Sequence, residues 1–144
     1  MSGYAPPSKA ARPAVGEVRV TLRRSTMTLS RDAKSVAHAR QFIKDACRDH
    51  GLTGDPCDTA VLLTSETVTN ALLHGRSEAR LSFSFLGSSL RVEVWDENSR
   101  HPERVPASED ALSGRGLGIV EMLASRWGVR DEPYGKTVWF ELEL

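Results

Sequence analysis

Glu66 and Asn70 are the residues whose type and spacing most invite chemistry. The stretch from Glu66 to His74 reads as the second half of a helix that starts near Asp55. At about 100° per residue, the carboxylate and the amide fall on one stripe, a turn apart. Leu62 and Leu73 flank that stripe on one side and Leu63 on the other, while Val61, Val68 and Leu72 form a second apolar stripe. A helix apolar on two faces is largely buried. An acid or amide buried there without a partner costs roughly 1–3 kcal/mol or more. Three arrangements answer that cost: the two groups bond each other, they line a groove open to water, or they form an oxygen-rich wall facing a metal-bound phosphate.

Asp96 is the second candidate. From Ala79 the apolar residues alternate, with Leu81, Phe83 and Phe85, then Gly87–Ser88–Ser89, then Leu90, Val92 and Val94. That pattern is a hairpin with one half-buried face. Asp96 shares the parity of Val92 and Val94, so a persisting strand turns its carboxylate inward, where it must be protonated or find donors. It serves either as a turn cap in Asp96–Glu97–Asn98–Ser99 or as an acceptor for a ligand's amino group. The third candidate is Gly114–Arg115–Gly116–Leu117–Gly118, opening a helix through Met122, Leu123 and Arg126. Alternate glycines before a helix either bring backbone amides up to an anion or act as a lid hinge. The dinucleotide fingerprint is disfavoured, because it follows a strand directly, whereas these glycines follow the long loop from Glu97 to Ser113. His74, in the last turn before Gly75, suits the helix dipole as a cation or serves as a ligand.

The elements that position these residues follow from punctuation and period. Residues 1 to about 24 hold Pro6, Pro7 and Pro13 and an excess of basic residues, which reads as a disordered basic arm, with a folded domain over 25–144. Arg24 to Leu29 suits a first strand. Ser30 caps a helix to about His50 with Val36, Ala39, Ile43 and Cys47 at helical spacing, ended by Gly51. Asp55–Pro56 opens the second helix. Trp127 to Asp131, a turn at Pro133–Tyr134–Gly135, and the alternating Val138, Phe140, Leu142 and Leu144 close the chain as a hairpin. The order predicts an α+β fold: a two-layer sandwich, its sheet mixed but mainly antiparallel, with helices on one face.

Bulk properties narrow the function classes. A length of 144 residues suits one domain with a real core. The 19 basic residues balance the 19 acidic ones, which argues against direct binding of nucleic acid through a broad basic surface. No apolar run approaches the roughly 18 residues of a membrane span, and the N-terminus lacks the apolar core of a secretory signal. Cys47 and Cys57 lie outside any CxxC or Cys/His cluster and read as buried thiols of a cytoplasmic protein.

Taken in order, Glu66-x-x-x-Asn70-Ala-x-x-His74, Asp96 at a strand end, Gly114-Arg-Gly116-Leu-Gly118, and Gly135-Lys-Thr137 entering the last strand resemble the histidine-kinase-like (GHKL) ATPase superfamily. Within it the chain looks like the small stand-alone anti-sigma-factor serine/threonine kinases, over about residues 25–144. The resemblance implies ATP and Mg²⁺ as cofactors. It implies Asn70 as the magnesium ligand, Glu66 as the residue that orients or deprotonates the attacking hydroxyl, and Asp96 as acceptor for the adenine amino group. Gly114, Arg115, Gly116, Leu117 and Gly118 would then meet the phosphates, and Thr137 would help hold adenine through water. The family often writes Asp-x-Gly-x-Gly after the adenine-binding aspartate. Here Asn98, which tolerates positive φ, stands in that run. The implied partners are a sigma factor and a small antagonist protein, and the implied assembly is a homodimer. The implied activity is a protein kinase; the alternatives are a non-catalytic, nucleotide-dependent sigma-sequestering module and a simple ATPase.

Overall fold

The computed structural model describes residues 23–74, 78–97 and 118–144. Strand β1 (Arg23–Leu29) leads into helices α1 (Lys34–Asp49) and α2 (Asp55–His74), then strands β2 (Ala79–Leu86), β3 (Ser89–Asp96), β4 (Arg126–Glu132) and β5 (Gly135–Glu143). The expected disordered arm lies almost entirely outside the described residues, as does most of the loop from Glu97 to Ser113.

The five strands form one sheet in the order β1-β2-β3-β5-β4. All four pairings are antiparallel, so the expectation of a mixed sheet narrows to an antiparallel one among the described strands. Burial alternates strictly along β3, which sends Leu90, Val92, Val94 and Asp96 to one face. That face, with Leu81, Phe83, Phe140 and Leu142, meets Ala39, Ile43, Ala46 and Cys47 of α1 and Ala60, Leu63, Val68 and Ala71 of α2 in a single core. Both helices lie on this one face, and α2 crosses β3 with β2 and β5 beside it.

Local chemistry explains where the elements begin and end. Helix α1 starts later than a cap at Ser30 requires: the Ser30 carbonyl accepts from Ser35 Oγ at 2.7 Å, and Asp32 Oδ1 accepts from the Lys34 amide at 2.9 Å. The intervening residues are thereby held in a turn before the helix. Gly51, at φ 74°, ends α1 with its amide on Arg48 O, the left-handed exit that favours glycine. The β2–β3 hairpin turns through Gly87 at φ 57°. The predicted third helix ends earlier than its pattern suggests. Residues 118–123 are helical and Val120 reaches the core, but Arg126 belongs to β4. There the Ser125 amide donates to Glu141 O at 2.8 Å and the Glu143 amide to Ser125 Oγ at 2.9 Å. Sheet pairing thus claims the chain one turn before the helical pattern is exhausted.

Candidate active site

Helix α2 carries the first half of the site. Its buried residues Ala60, Leu63, Thr64, Thr67, Val68 and Ala71 span one arc, and Asn70 lies at the margin of that arc. Glu66 lies about 40° further out on the helical wheel and is half-buried. Asn70 is only 6% exposed, yet its Oδ1 is fully buried and accepts no hydrogen bond. A buried acceptor in that state is uncommon enough to need a reason. Thr67 shows the ordinary solution, donating from Oγ1 to Leu63 O at 2.7 Å. The stripe is less enclosed than the leucine spacing implied. Leu62 and Leu73 are 42% and 53% exposed, because the arc that meets the sheet is centred on Thr64 and Ala71. The chemistry-bearing edge of α2 is therefore the border between core and exterior.

Strand β3 carries the second half. Asp96 turns inward as its parity requires and is 1% exposed. Its donor is one that sequence reasoning missed. Lys136, opposite it in the β3–β5 register and 2% exposed, donates from Nζ to Oδ1 at 3.0 Å and to Oδ2 at 3.1 Å. The signal was present: position 136 shares parity with Val138, Phe140 and Leu142. Gly135 is pressed against the same place. A Cβ there would sit 2.0 Å from Asp96 O and 3.0 Å from Glu97 Cα, so only glycine fits without parting the strands.

Thr137 must be removed from the expected set. Its register partner is Trp95, on the face of the sheet away from the helices, and its Oγ1 donates to Glu132 Oε2 at 2.9 Å. Successive residues of a strand point to opposite faces, so Thr137 and Asp96 cannot share a pocket. That outer face is a charged lattice. Glu93 accepts from Arg91 and Arg130, and Glu141 accepts from Arg91 and Arg126. Arg80 stacks over Trp95 at 4.5 Å and Arg91 over Trp139 at 4.2 Å. Burial alone would raise the Glu93 and Glu141 carboxyls. The arginine hydrogen bonds outweigh it and hold both below the ordinary carboxylate value.

Asn98, Gly114, Arg115, Gly116 and Leu117 lie outside the described residues. Gly118 is helical and the first described residue of that segment, and a Cβ at that position would meet nothing within 4 Å. Among the described residues no group of three acidic, histidine or cysteine side chains could hold a metal. Magnesium does not need one. It takes oxygen ligands, keeps several waters, and commonly relies on one or two protein groups plus phosphates. The unpartnered amide oxygen of Asn70 fits that donor chemistry.

Helices on one face of an antiparallel sheet agree with the comparisons to known proteins. The model of the histidine kinase-like ATPase domain matches residues 29–142, and the chain belongs to that family. No curated protein matches the chain. A solved structure of the RsbU and RsbW domains of Rv1364c from Mycobacterium tuberculosis superposes with a TM-score of 0.65 at 18% identity. The match covers 85% of this chain and 32% of that one. It is a likeness of fold. The chain spans about a third of that protein's length. Among the described residues no helix is long and apolar enough to cross a membrane.

Proposed function

We propose that the chain binds Mg²⁺-ATP and acts as an anti-sigma factor that phosphorylates a serine or threonine of a small antagonist protein. The observation that carries this reading is the buried, unpartnered Oδ1 of Asn70, one helical turn from the half-buried carboxylate of Glu66. Asn70 offers that oxygen to the metal. Asp96 accepts the amino group of the base. Glu66 orients the attacking hydroxyl and takes its proton, while the glycine segment from Gly114 to Gly118 faces the phosphates. When bound, Mg²⁺-ATP supplies the phosphoryl group and neutralises its developing charge; the protein's task is positioning. A positioned base contributes about 10²–10⁴-fold. The ordered motif set supports the sigma-factor and antagonist assignment.

The test is Glu66→Gln, assayed for transfer of labelled γ-phosphate to purified small antagonist proteins and, separately, for nucleotide affinity. Transfer is expected to fall by at least about 10²-fold with affinity preserved. Transfer at the wild-type rate overturns the catalytic role of Glu66. Binding of ATP by the wild type with no transfer to any antagonist favours the sigma-sequestering module instead.

A further inference from the structure

Helices α1 and α2 are joined by the short connector 50–54 and pack against each other. Cys47 is the third residue from the end of α1, and Cys57 is the third residue of α2. A connector this short makes the two helices antiparallel neighbours, so the two positions face each other at one level of the pair. Cys47 is fully buried in the core, and Cys57, half-buried, packs against that core from the adjoining helix. Both are free thiols, and the two side chains hydrogen-bond each other. Burial as a small apolar side chain accounts for each cysteine singly. It does not account for two sulfurs brought together across a helix pair, which is the arrangement a disulfide needs. Cys57 stands nine residues before Glu66, about 14 Å along the helix, so the pair is separate from the nucleotide site.

We propose that Cys47 and Cys57 form a modification site at which hydrogen peroxide closes a reversible disulfide between α1 and α2. The two thiols have different parts. Cys57 is the one that solvent reaches. Burial, then the hydrogen bond with Cys57, then the charges of Cys57 and Asp58 push the Cys47 thiol up to about 12, so it is a poor first target. The Cys57 thiolate attacks one peroxide oxygen, the O–O bond breaks, and Cys57 sulfenic acid and hydroxide result. Cys47 sulfur then attacks the Cys57 sulfur. The S–S bond forms as the S–O bond breaks, and the departing hydroxide takes the Cys47 proton and leaves as water. Two thiols have lost two electrons and two protons, and one peroxide has become two waters. Cys47 needs no high thiolate fraction for the second step, because the sulfur it attacks is held beside it.

The experiment treats the full-length reduced protein with hydrogen peroxide under native conditions and follows intact mass, with a non-reducing digest to locate the bond. The expected product is a monomer lighter by two hydrogens, carrying a Cys47–Cys57 cross-link that dithiothreitol reverses. Its Tm should exceed that of the reduced protein by about 5 °C, because the bond closes a loop in the unfolded chain. In Cys57→Ser, a change at the half-buried position, oxidation of the remaining Cys47 should be at least about tenfold slower than formation of the wild-type disulfide. Wild-type Cys57 running on to sulfinic acid while Cys47 stays a free thiol overturns the proposal. So does a disulfide that joins two chains, or survival of both thiols in excess peroxide. An intrachain bond that lowers the Tm would show that the native helix pair does not hold the sulfurs ready for it, and overturns the proposal as well. None of these outcomes bears on the nucleotide reading.

Discussion

Asn70→Leu separates a structural amide from a functional one. Leucine has the same number and branching of side-chain heavy atoms as asparagine, is bulkier, and brings no polar atoms. Asn70 is 6% exposed and its Oδ1 has no hydrogen-bond donor. A buried polar group left unsatisfied costs about 1–3 kcal/mol. Some of that is returned as imperfect leucine packing, so the ligand-free variant should be more stable than wild type by about 1 kcal/mol. For a chain of this size, that is a rise in Tm of about 2–4 °C. With Mg²⁺-ATP at a hundred times its Kd, wild type should gain about 2.7 kcal/mol by mass action, and the variant little. The assay is thermal unfolding with and without Mg²⁺-ATP. A ligand-free variant destabilised by more than about 1 kcal/mol would show that the amide has a structural partner. An undiminished ligand shift in the variant would refute the metal-binding role.

Three further outcomes test other parts of the structure. Gly135→Ala places a Cβ 2.0 Å from Asp96 O, so it should cost about 1–3 kcal/mol, read as a lower urea midpoint, and weaken nucleotide binding by disturbing Asp96. Glu93 and Glu141 are held below the ordinary carboxylate value. The stability they contribute is therefore present above about pH 4.3 and lost as the pH falls through their lowered folded values. Glu141→Gln should flatten that acid-side loss in a urea midpoint measured from about pH 6 to pH 3. Burial, then a hydrogen bond with Cys57, pushes the Cys47 thiol up to about 12, so iodoacetamide at neutral pH should label Cys57 and spare Cys47, as read by peptide mass spectrometry.

Much of this architecture was legible in the sequence, and where it was not, the reason is physical. Period-two alternation placed Asp96 on the inner face before any strand partner was known, because parity is a local property of a strand. The 3.6-residue period likewise put Glu66 and Asn70 on one edge of α2. The sheet order was not legible: β5 inserts between β3 and β4 through pairing of residues far apart in sequence, and local signals do not carry that information. Lys136 and Thr137 show the same limit at the site. The motif Gly-Lys-Thr drew attention to the hydroxyl, whereas register with β3 decides that the neighbouring ammonium meets Asp96 and that Thr137 meets Glu132. The apolar period of Met122 and Leu123 runs toward Arg126 and predicts a helix there. Edge-strand bonding to β5 overrode that local preference.

The most direct measurement replaces magnesium with paramagnetic manganese and watches side-chain amide resonances as Mn²⁺-ATP is added below stoichiometry. The Asn70 side-chain amide should broaden beyond detection first, while the Trp139 indole on the outer face of the sheet keeps its linewidth. A sharp Asn70 signal beside a nucleotide shown to be bound would contradict the assignment of that oxygen to the metal.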